Sequence, residues 1–475
     1  MPHPRIRLST AGNHSEVQAG LDRIRAELRV PDSFPVPVLA EAARVANTGP
    51  AAGGDDRTDL PFFTIDPTGS MDLDQAMHLE RRPGGHRIHY AIADVAGFVR
   101  PSGAIDGEAH ERGATRYLPD GTAPLHPPVL SAGAASLLPG QERPAFLWTI
   151  DLDDAGEIGA VDVRRARVRS RERLDYEHAQ QAADTDERLV LLGEIGRLLL
   201  EAEAARGGVS LPLPEQEVTQ STDGWSLEFR GGLPSEQWNA QISLVTGRAA
   251  AKIMLDGRIG LLRTMPPAPQ AALAGLRRTA TALGIDWPQG TSYGSVVRSL
   301  DPATPRAAAF LHAAAGLMRG AGYTAFDGQV PEQPAHAAVA APYAHVTAPL
   351  RRLADRYAGE VCLALAAGQE VPAWVRGGLP ALPEAMERGL RRAADVDRAC
   401  IDLVEAIVLR DRVGDLFDAV VVDVAADRPA GTIQLIEPAV QAHCDGRLPL
   451  GEPVKVRLTE ADPGTRRVRF VHSPS

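Results

Sequence analysis

The sequence predicts an α+β protein with three parts in series: a small helical module, a large mixed domain and a terminal β-barrel. Apolar residues recur at helical spacing near the start, and strand-like runs alternate with long helical patterns through the middle. The last segment contains short β-type runs separated by Pro, Gly and Asp turns. A chain of 475 residues exceeds the usual size of one compact domain, so we expect divisions into residues 1–58, 59–412 and 413–475.

The composition is typical of a globular protein in water, with 44% hydrophobic and 23% charged residues. No apolar run is long enough for a membrane helix, and the opening residues lack the apolar core of a signal peptide. We therefore expect a cytoplasmic monomer with no membrane partner. Three widely spaced cysteines argue against a disulfide framework. The net charge of −11 opposes a nucleic-acid partner, although an acidic protein can hold RNA when its arginines line one channel.

The N-terminal part predicts two helices and a linker. Leu21, Ile24 and Leu28 recur at helical spacing, PDSFPVP interrupts this pattern, and VLAEAARVA resumes it. The Gly-, Pro- and Asp-rich residues 47–59 then indicate a linker. Our interpretation of the whole segment is a small helix-turn-helix-like module.

The mixed domain begins with strand-like sequence, from PFFTID through HRIHYAIADVAGFV to FLWTIDL. Helical patterns follow in EQWNAQISLVTGRAAAKIML and at residues 350–367 and 390–412. Near the C terminus, the runs VVVDVAA, GTIQLIE, EPVKVRLTE and RRVRFVH are short and regularly spaced. Such runs predict a small closed barrel.

An acidic cluster in TIDPTGSMDLDQA is the most informative stretch of the chain. It places aspartates at positions 66, 72 and 74. If the backbone is extended there, Asp72 and Asp74 lie on one side, and the turn at Pro67 and Gly69 can bring Asp66 back toward them. Three carboxylates suit Mg²⁺ or Mn²⁺, which can neutralise charge during attack on a phosphodiester. The alternative is a solvated turn, because Asp, Gly, Pro and Ser are common turn residues.

Several further motifs accompany this cluster in a fixed order. They are an IADV strand, a YLPD turn followed by P-x-x-LS, and YAHVTAPLRR at residues 343–352. Together they resemble the catalytic domain of the ribonuclease II and ribonuclease R family. The resemblance implies an RNB-type catalytic domain and a 3′-to-5′ hydrolytic exoribonuclease. Such an enzyme degrades single-stranded RNA with a free 3′ end to nucleoside 5′-monophosphates, using Mg²⁺, for which Mn²⁺ can substitute.

The resemblance also assigns roles to the acidic cluster. Asp74 aligns with the aspartate that the family needs for turnover, and Asp72 is expected to act with it as a catalytic residue and metal ligand. Asp66 and position 75 align with residues linked to metal binding. Gln75 departs from the family pattern, which usually has a fourth aspartate. An amide oxygen can coordinate a metal but brings no charge, so we expect weaker binding of a second ion.

The YAHVTAPLRRLADRY segment predicts a helix that presents arginine to a phosphate. Thr347 can cap it, so Arg351 and Arg352 are expected in its first turn, beside unpaired backbone amides. A guanidinium there can hold two phosphate oxygens and stabilise charge in the transition state. Arg351 is the first candidate for the scissile phosphate and Arg352 the second. The alternative is an ion pair between Arg351 and Asp355 on a solvated helix face.

By resemblance, five residues hold the RNA strand. Tyr117 stacks on a base, Tyr176 contacts the 3′-terminal nucleotide, Glu236 lies near the terminal ribose, and His345 and Arg352 also bind RNA. The alternative for both tyrosines is ordinary half-buried packing. Where relatives have the second aromatic wall of the base clamp, this chain has a leucine, at position 211, so we expect a looser clamp.

An arginine-rich ribbon and the C-terminal barrel could add charge to an RNA channel. Residues 164–173 contain six arginines, which suit either phosphates or a charged solvated edge strand. The C-terminal segment resembles the OB-fold barrel of the family, although Phe417 and Phe470 are its only aromatic residues with six-membered rings. We interpret this barrel as an auxiliary RNA clamp. The cold-shock barrels that commonly precede the catalytic domain are not expected here, because the residues before Leu60 are helical in pattern.

Two other functions stay open at this level. Gln75 is compatible with a catalytically weakened relative that binds RNA without cutting it. The acidic cluster alone is also compatible with a metal-dependent exonuclease that acts on DNA.

Overall fold

The computed structural model describes residues 15–50, 54–212, 215–221, 224–302 and 304–473. Within these ranges no helix combines the length and the apolar character needed to cross a membrane. The helices are α1 (Ser15–Glu27), α2 (Val36–Thr48), α3 (Ala104–Arg112), α4 (Tyr176–Gln181), α5 (Glu187–Arg206), α6 (Pro234–Asp256), α7 (Gln270–Ala282), α8 (Tyr293–Ser299), α9 (Pro305–Ala315), α10 (Leu353–Ala366), α11 (Ala373–Gly378) and α12 (Leu382–Leu409).

The strands of the mixed domain are β1 (Asp55–Asp56), β2 (Phe62–Ile65), β3 (Gln75–Arg82), β4 (Gly85–Ala93), β5 (Arg116–Leu118), β6 (Gly121–Ala123), β7 (Glu142–Leu152), β8 (Ile158–Leu174), β9 (Glu215–Ser221), β10 (Gly224–Arg230), β11 (Ile259–Thr264), β12 (Gly322–Asp327), β13 (Ala335–His336) and β14 (Ala341–Pro342). The C-terminal strands are β15 (Leu416–Val424), β16 (Ala430–Leu435), β17 (Gln441–Asp445), β18 (Pro453–Asp462) and β19 (Arg467–His472). These elements confirm the α+β class.

A six-stranded sheet with the order β1-β8-β2-β3-β4-β7 organises the mixed domain. The long strand β8 pairs with β7 along its first part and with β2 along its last part. Strand β7, the last in this order, is therefore also hydrogen-bonded to β8. Strand β2 runs parallel to β8 and antiparallel to β3. The loop of residues 66–74 and the start of α4 therefore leave the sheet at the same end.

Helices α5, α6 and α10 cover one face of this sheet with the main apolar core, which includes Trp148, Tyr90 and Ile242. Gly247 of α6 lies against the chain at Tyr343 and Ala344, where an added Cβ would come 2.5 Å from the Ala344 carbonyl oxygen. Only glycine permits this close approach. Because Gly247 has no side chain, the YAHVTAPLRR segment can lie directly on α6.

The two N-terminal helices form where the spacing predicts them, and they pack against different parts of the chain. Leu21 and Ile24 of α1 join Cys400 and Leu403 of α12 in one cluster. Val38 of α2 instead joins the cluster on the second face of the sheet. Both helices therefore bury their apolar stripes against the mixed domain.

Strands β15 to β19 form a closed barrel in the order β15-β16-β17-β19-β18, as the short runs predict. Phe417 and Phe470 pack edge to face inside it, with ring centroids 5.6 Å apart. Since both rings lie in the barrel core, neither forms a stacking surface for bases. RNA binding by this barrel would depend on its cationic side chains.

A buried ion pair fixes α10 against α3. Arg356 is fully buried, and its Nη1 lies 2.5 Å from Asp106 Oδ1. Burial raises the pKa of Asp106. The hydrogen bond with His110 and the charge of Arg356 outweigh this effect, so the pKa lies well below its usual range. The negative charge of Asp106 therefore compensates a guanidinium that has no access to water.

Replacing Asp106 with asparagine is expected to destabilise the mixed domain by about 3 kcal/mol, because Arg356 stays charged and buried. Urea unfolding measures the change, and Asp418→Asn, at an exposed pair with Lys455, should lose less than about 1 kcal/mol. Because the folded-state pKa of Asp106 is lowered, its contribution is present above the pKa of an unfolded aspartate and is lost as the pH falls. The difference between wild type and Asp106→Asn should therefore shrink in acid. Equal losses from the two variants would contradict this role.

Candidate active site

The acidic loop is fixed by hydrogen bonds on both sides of its aspartates. The backbone amide of Asp66 donates to the Leu174 carbonyl over 3.1 Å. The Ser136 hydroxyl accepts a hydrogen bond from the Leu73 amide and donates one to the Met71 carbonyl, at 2.9 and 2.6 Å. Strand β3 starts only at Gln75, so residues 71–74 precede the strand, and Leu73 and Asp74 are both buried.

Asp74 is the buried carboxylate of the site, with 3% of its surface exposed. Its Oδ1 accepts a hydrogen bond from the Leu350 amide at 2.8 Å, and its Oδ2 lies 3.4 Å from Arg351 Nε. Burial raises the pKa of Asp74 well above its usual range, against the lowering effect of Arg351, and the nearby charge of Asp72 adds to the rise. The surroundings of Asp74 therefore disfavour its negative charge, and the contacts with Arg351 and the Leu350 amide offset this effect only in part.

Arg351 lies at the meeting point of the loop and the YAHVTAPLRR segment. Burial lowers its pKa, but the proximity of Tyr117, Asp74 and Asp66 more than offsets this effect and raises it. Its side chain is 35% exposed. The predicted association of the aspartates with an arginine thus exists in the structure, and Arg351 keeps access to solvent.

The predicted start of the arginine helix was wrong. Helix α10 begins at Leu353, and Arg352 precedes it in an extended conformation with φ −136° and ψ 126°. The reason is tertiary: the Thr115 amide donates to the Arg351 carbonyl at 3.0 Å, and the Leu353 amide donates to Gly113. This strand-like pairing keeps both arginines out of the first helical turn, with Arg352 at the N-cap of α10.

One further expectation about this segment was also wrong, and the alternative ion pair of Arg351 did not form. Thr347 does not cap the helix; the Asp355 carboxylate instead accepts a hydrogen bond from the Ala348 amide at 2.7 Å. Asp355 forms its ion pair with Arg352, through Nη2 to Oδ1 at 2.7 Å and Nε to Oδ2 at 3.0 Å. Arg351 is thereby free of the alternative pair with Asp355 and faces Asp74.

Gln75 has a structural role that accounts for part of its departure from the family pattern. Its Nε2 donates a hydrogen bond to the Thr347 carbonyl at 2.5 Å, which ties β3 to the YAHVTAPLRR segment. A carboxylate at this position would place negative charge against a carbonyl oxygen. The amide oxygen of Gln75 is the only atom of this side chain that could serve as a metal ligand.

The expected RNA-binding residues lie on several elements of the mixed domain. Tyr117 lies on the β5–β6 hairpin near Arg351, and the Tyr176 hydroxyl accepts a hydrogen bond from Asn239 Nδ2 at 3.2 Å. Glu236 caps the start of α6 by accepting a hydrogen bond from the Leu233 amide at 3.2 Å. Burial lowers the pKa of His345 well below its usual value, aided by Arg352, so its ring is neutral near pH 7. His345 therefore cannot bind phosphate as a cation.

Leucine 211 and the arginine ribbon have identifiable surroundings. Leu211 is half-buried and packs against an apolar cluster that includes Val209 and Met265. On β8, Arg164 pairs with Asp55 at 2.9 Å, and Arg165 pairs with Asp94 at 2.8 Å and with Glu360. These carboxylates neutralise much of the ribbon, which favours the charged-edge alternative over a phosphate track.

The donor chemistry of the acidic loop fits a hard divalent cation, although the ligands are not preassembled. Across the part of the chain that the structure describes, no three His, Cys, Asp or Glu side chains converge closely enough to hold a metal ion. Asp66, Asp72 and Asp74 nevertheless supply the carboxylate oxygens that Mg²⁺ prefers. The structural reason to expect a cation there is the buried Asp74 carboxylate, whose ionised form the protein groups around it stabilise only in part and a bound cation would stabilise further.

Sequence reasoning missed Ser136 and considered Asp355 only as a partner of Arg351. The spacing of Asp355 from Arg352 also permits an ion pair, so the correct partner could have been found. No local pattern marks Ser136, because its partners at positions 71 and 73 are distant in sequence.

Comparisons with known proteins agree with this architecture. The sequence model of the RNB domain matches residues 55–364, and that of the RNase II-type exonuclease C-terminal S1 domain matches residues 415–473. Ribonuclease R of Aquifex aeolicus is 26% identical over 449 residues, which are 88% of this chain and 62% of that protein. This chain thus spans less than two thirds of the length of that curated relative.

Solved structures show the same fold. Mycoplasma genitalium RNase R, solved in complex with ribose-methylated single-stranded RNA, has a TM-score of 0.86 and 20% identity, covering 97% of this chain and 79% of that one. Yeast Ssd1, a pseudonuclease, has a TM-score of 0.69 and 17% identity, covering 94% of this chain and 57% of that one. The fold alone therefore does not decide between cutting and binding. Since the RNB-domain match covers more than half of the length of this chain, the chain belongs to the RNB family.

Proposed function

We propose that this chain is a 3′-to-5′ hydrolytic exoribonuclease that shortens single-stranded RNA from a free 3′ end and releases nucleoside 5′-monophosphates. The observation that carries the proposal is the contact between Arg351 and the buried Asp74, beside Asp72 and Asp66. Family membership supports the reaction class. We further propose that the chain acts as a cytoplasmic monomer, with parts at residues 1–58, 59–412 and 413–475.

The acidic loop would hold Mg²⁺, or Mn²⁺ in its place, through Asp66, Asp72, Asp74 and the amide oxygen of Gln75. Such an ion supplies an activated water and neutralises charge on the phosphodiester. The Leu350 amide fixes the orientation of the Asp74 carboxylate. Arg351, whose Nε lies 3.4 Å from the Asp74 carboxylate, would bind the scissile phosphate and stabilise the charge that grows on its oxygens.

The remaining assigned residues would hold the strand. Tyr117, close to Arg351, would stack on a base, and Tyr176 would contact the 3′-terminal nucleotide. Glu236, at the start of α6, would accept a hydrogen bond from the terminal ribose, and a 2′-hydroxyl there would distinguish RNA from DNA. The C-terminal barrel would serve as an auxiliary clamp through its cations.

Incubation with 5′-labelled single-stranded RNA and matched DNA, in Mg²⁺, Mn²⁺ or EDTA, tests the proposal. We expect a ladder that shortens from the 3′ end of RNA only, nucleoside 5′-monophosphates as products, and no cleavage in EDTA. Stable RNA binding without any cleavage would favour the weakened relative that Gln75 suggests. Shortening of DNA at an equal rate would indicate the DNA exonuclease, and nucleoside diphosphates in phosphate buffer would indicate phosphorolysis.

A further inference from the structure

A compact group of cationic and aromatic side chains lies beside the acidic centre. We call it the Arg263 cluster, and it comprises Arg263, Tyr323, Tyr343, His345 and Arg352. The Arg263 guanidinium lies over the Tyr323 ring, 4.7 Å from its centroid. The Tyr323 hydroxyl is 2.6 Å from His345 Nδ1, and the His345 and Tyr343 rings meet edge to face at 5.5 Å. The cluster is thus held in one arrangement by contacts between its own members.

The charge of this cluster is not balanced. Arg352 is neutralised by its two hydrogen bonds to Asp355. In contrast, no carboxylate forms an ion pair with Arg263 in the described ranges, and burial together with the nearby Arg352 lowers its pKa. A half-buried guanidinium without a counterion is unfavourable unless a ligand supplies the negative charge. The arginines at 164 and 165 show the usual solution, which is a carboxylate partner.

The position of the cluster relates it directly to the proposed chemistry. Arg351 and Arg352 are consecutive, and their side chains diverge: the first contacts Asp74 and the second contacts Asp355. The Arg263 amide donates a hydrogen bond to the Tyr343 carbonyl at 2.8 Å, which joins β11 to the segment that carries both arginines. Arg263, Tyr323 and His345 each keep some solvent-accessible surface. The cluster therefore adjoins the acidic centre through the consecutive Arg351 and Arg352 and stays partly accessible to solvent.

We propose that Arg263 binds a backbone phosphate of the RNA strand adjacent to the scissile phosphodiester, as a residue that positions the substrate. This inference rests on the proposed function. The contact with Tyr323 restrains the guanidinium, and a guanidinium can bind two oxygens of one phosphate. His345 is neutral and Arg352 is paired, so Arg263 is the cation of this cluster that a phosphate can neutralise.

Equilibrium binding in EDTA tests this inference without any dependence on catalysis. Fluorescence anisotropy with labelled single-stranded RNA, at several salt concentrations, gives Kd and the slope of log Kd against log salt. Arg263→Ala and Arg263→Gln should each weaken binding about tenfold, as loss of a charge-assisted contact does. Each should also reduce the slope by about 0.7, the value for one phosphate contact on a single strand. Arg263→Lys should restore the slope, because it keeps the charge.

Arg44→Ala is the matched control, because it removes an exposed arginine on α2 and changes the net charge equally. It should leave the slope unchanged. Far-ultraviolet circular dichroism and melting show whether each variant is folded. If Arg263→Ala is destabilised, the comparison of Arg263→Gln with Arg263→Lys still tests the charge, because these two side chains are both long and differ in charge. A slope and Kd equal to wild type in Arg263→Gln would overturn the inference. A wild-type protein that binds no RNA would instead reject the proposed function.

Discussion

Asp74→Asn is expected to lower kcat by at least about 10³-fold while the Kd for RNA changes by less than about threefold. Asparagine has nearly the same shape, and its Oδ1 can still accept the hydrogen bond from the Leu350 amide. The backbone geometry of the loop should therefore persist. What disappears is the ionisable carboxylate that faces Arg351 and lies near Asp72.

Single-turnover degradation of end-labelled RNA, with protein in excess, measures the chemical step, and anisotropy in EDTA measures the affinity. Asp59→Asn is the matched control because Asp59 is exposed on the linker before β2. It should retain the wild-type rate. A wild-type rate in Asp74→Asn would place the chemistry at another site.

A melting experiment separates the electrostatic role of Asp74 from a folding defect. Burial disfavours the charged carboxylate, so Asp74→Asn should raise the melting temperature in EDTA, by about 2 °C. Added Mg²⁺ should raise the melting temperature of the wild type and change that of the variant little. If the variant melts below wild type in EDTA, damage to the folded structure would explain its loss of activity.

The sequence predicts the parts of this fold that depend on local pattern. Apolar spacing predicts α1 and α2, short alternating runs predict the C-terminal barrel, and the order of motifs predicts that the acidic loop meets Arg351. Each of these depends on residues close together in the chain or on a known family order. Local pattern could not predict where α10 begins, because Gly113 and Thr115, far away in sequence, hold the preceding residues in an extended conformation.

The Arg263 cluster was missed for a related reason. Its contacts join β11, β12 and the YAHVTAPLRR segment, which are distant in sequence, and no spacing rule connects Arg263 with Tyr323. The arginine ribbon on β8 gave the opposite result. Its regular spacing is conspicuous in the sequence, but carboxylates of other strands and helices neutralise much of its charge. Which arginines are available to RNA is therefore decided by tertiary pairing and not by clustering along the chain.

Arg351→Ala should lower kcat by about 10²- to 10³-fold, as removal of one group that stabilises transition-state charge does, and weaken RNA binding by less than about fivefold. The reason is its location: Arg351 faces Asp74 and Asp66, where the charge on the reacting phosphate would develop. Arg351→Lys keeps the charge but loses bidentate contact, so its kcat should be intermediate. A larger effect on Kd than on kcat would make Arg351 a binding contact only.

The contact between Arg351 and Asp74 makes a stronger prediction about the double variant. If both side chains act on the same phosphodiester, the loss in Asp74→Asn/Arg351→Ala should be much smaller than the product of the single losses. Arg352→Ala supplies the comparison, because Arg352 pairs with Asp355 and faces away from Asp74. Its effect should fall mainly on stability and affinity, since it leaves Asp355 buried without a counterion. Multiplicative losses for Asp74 and Arg351 would mean that the two residues serve separate steps, although their side chains touch.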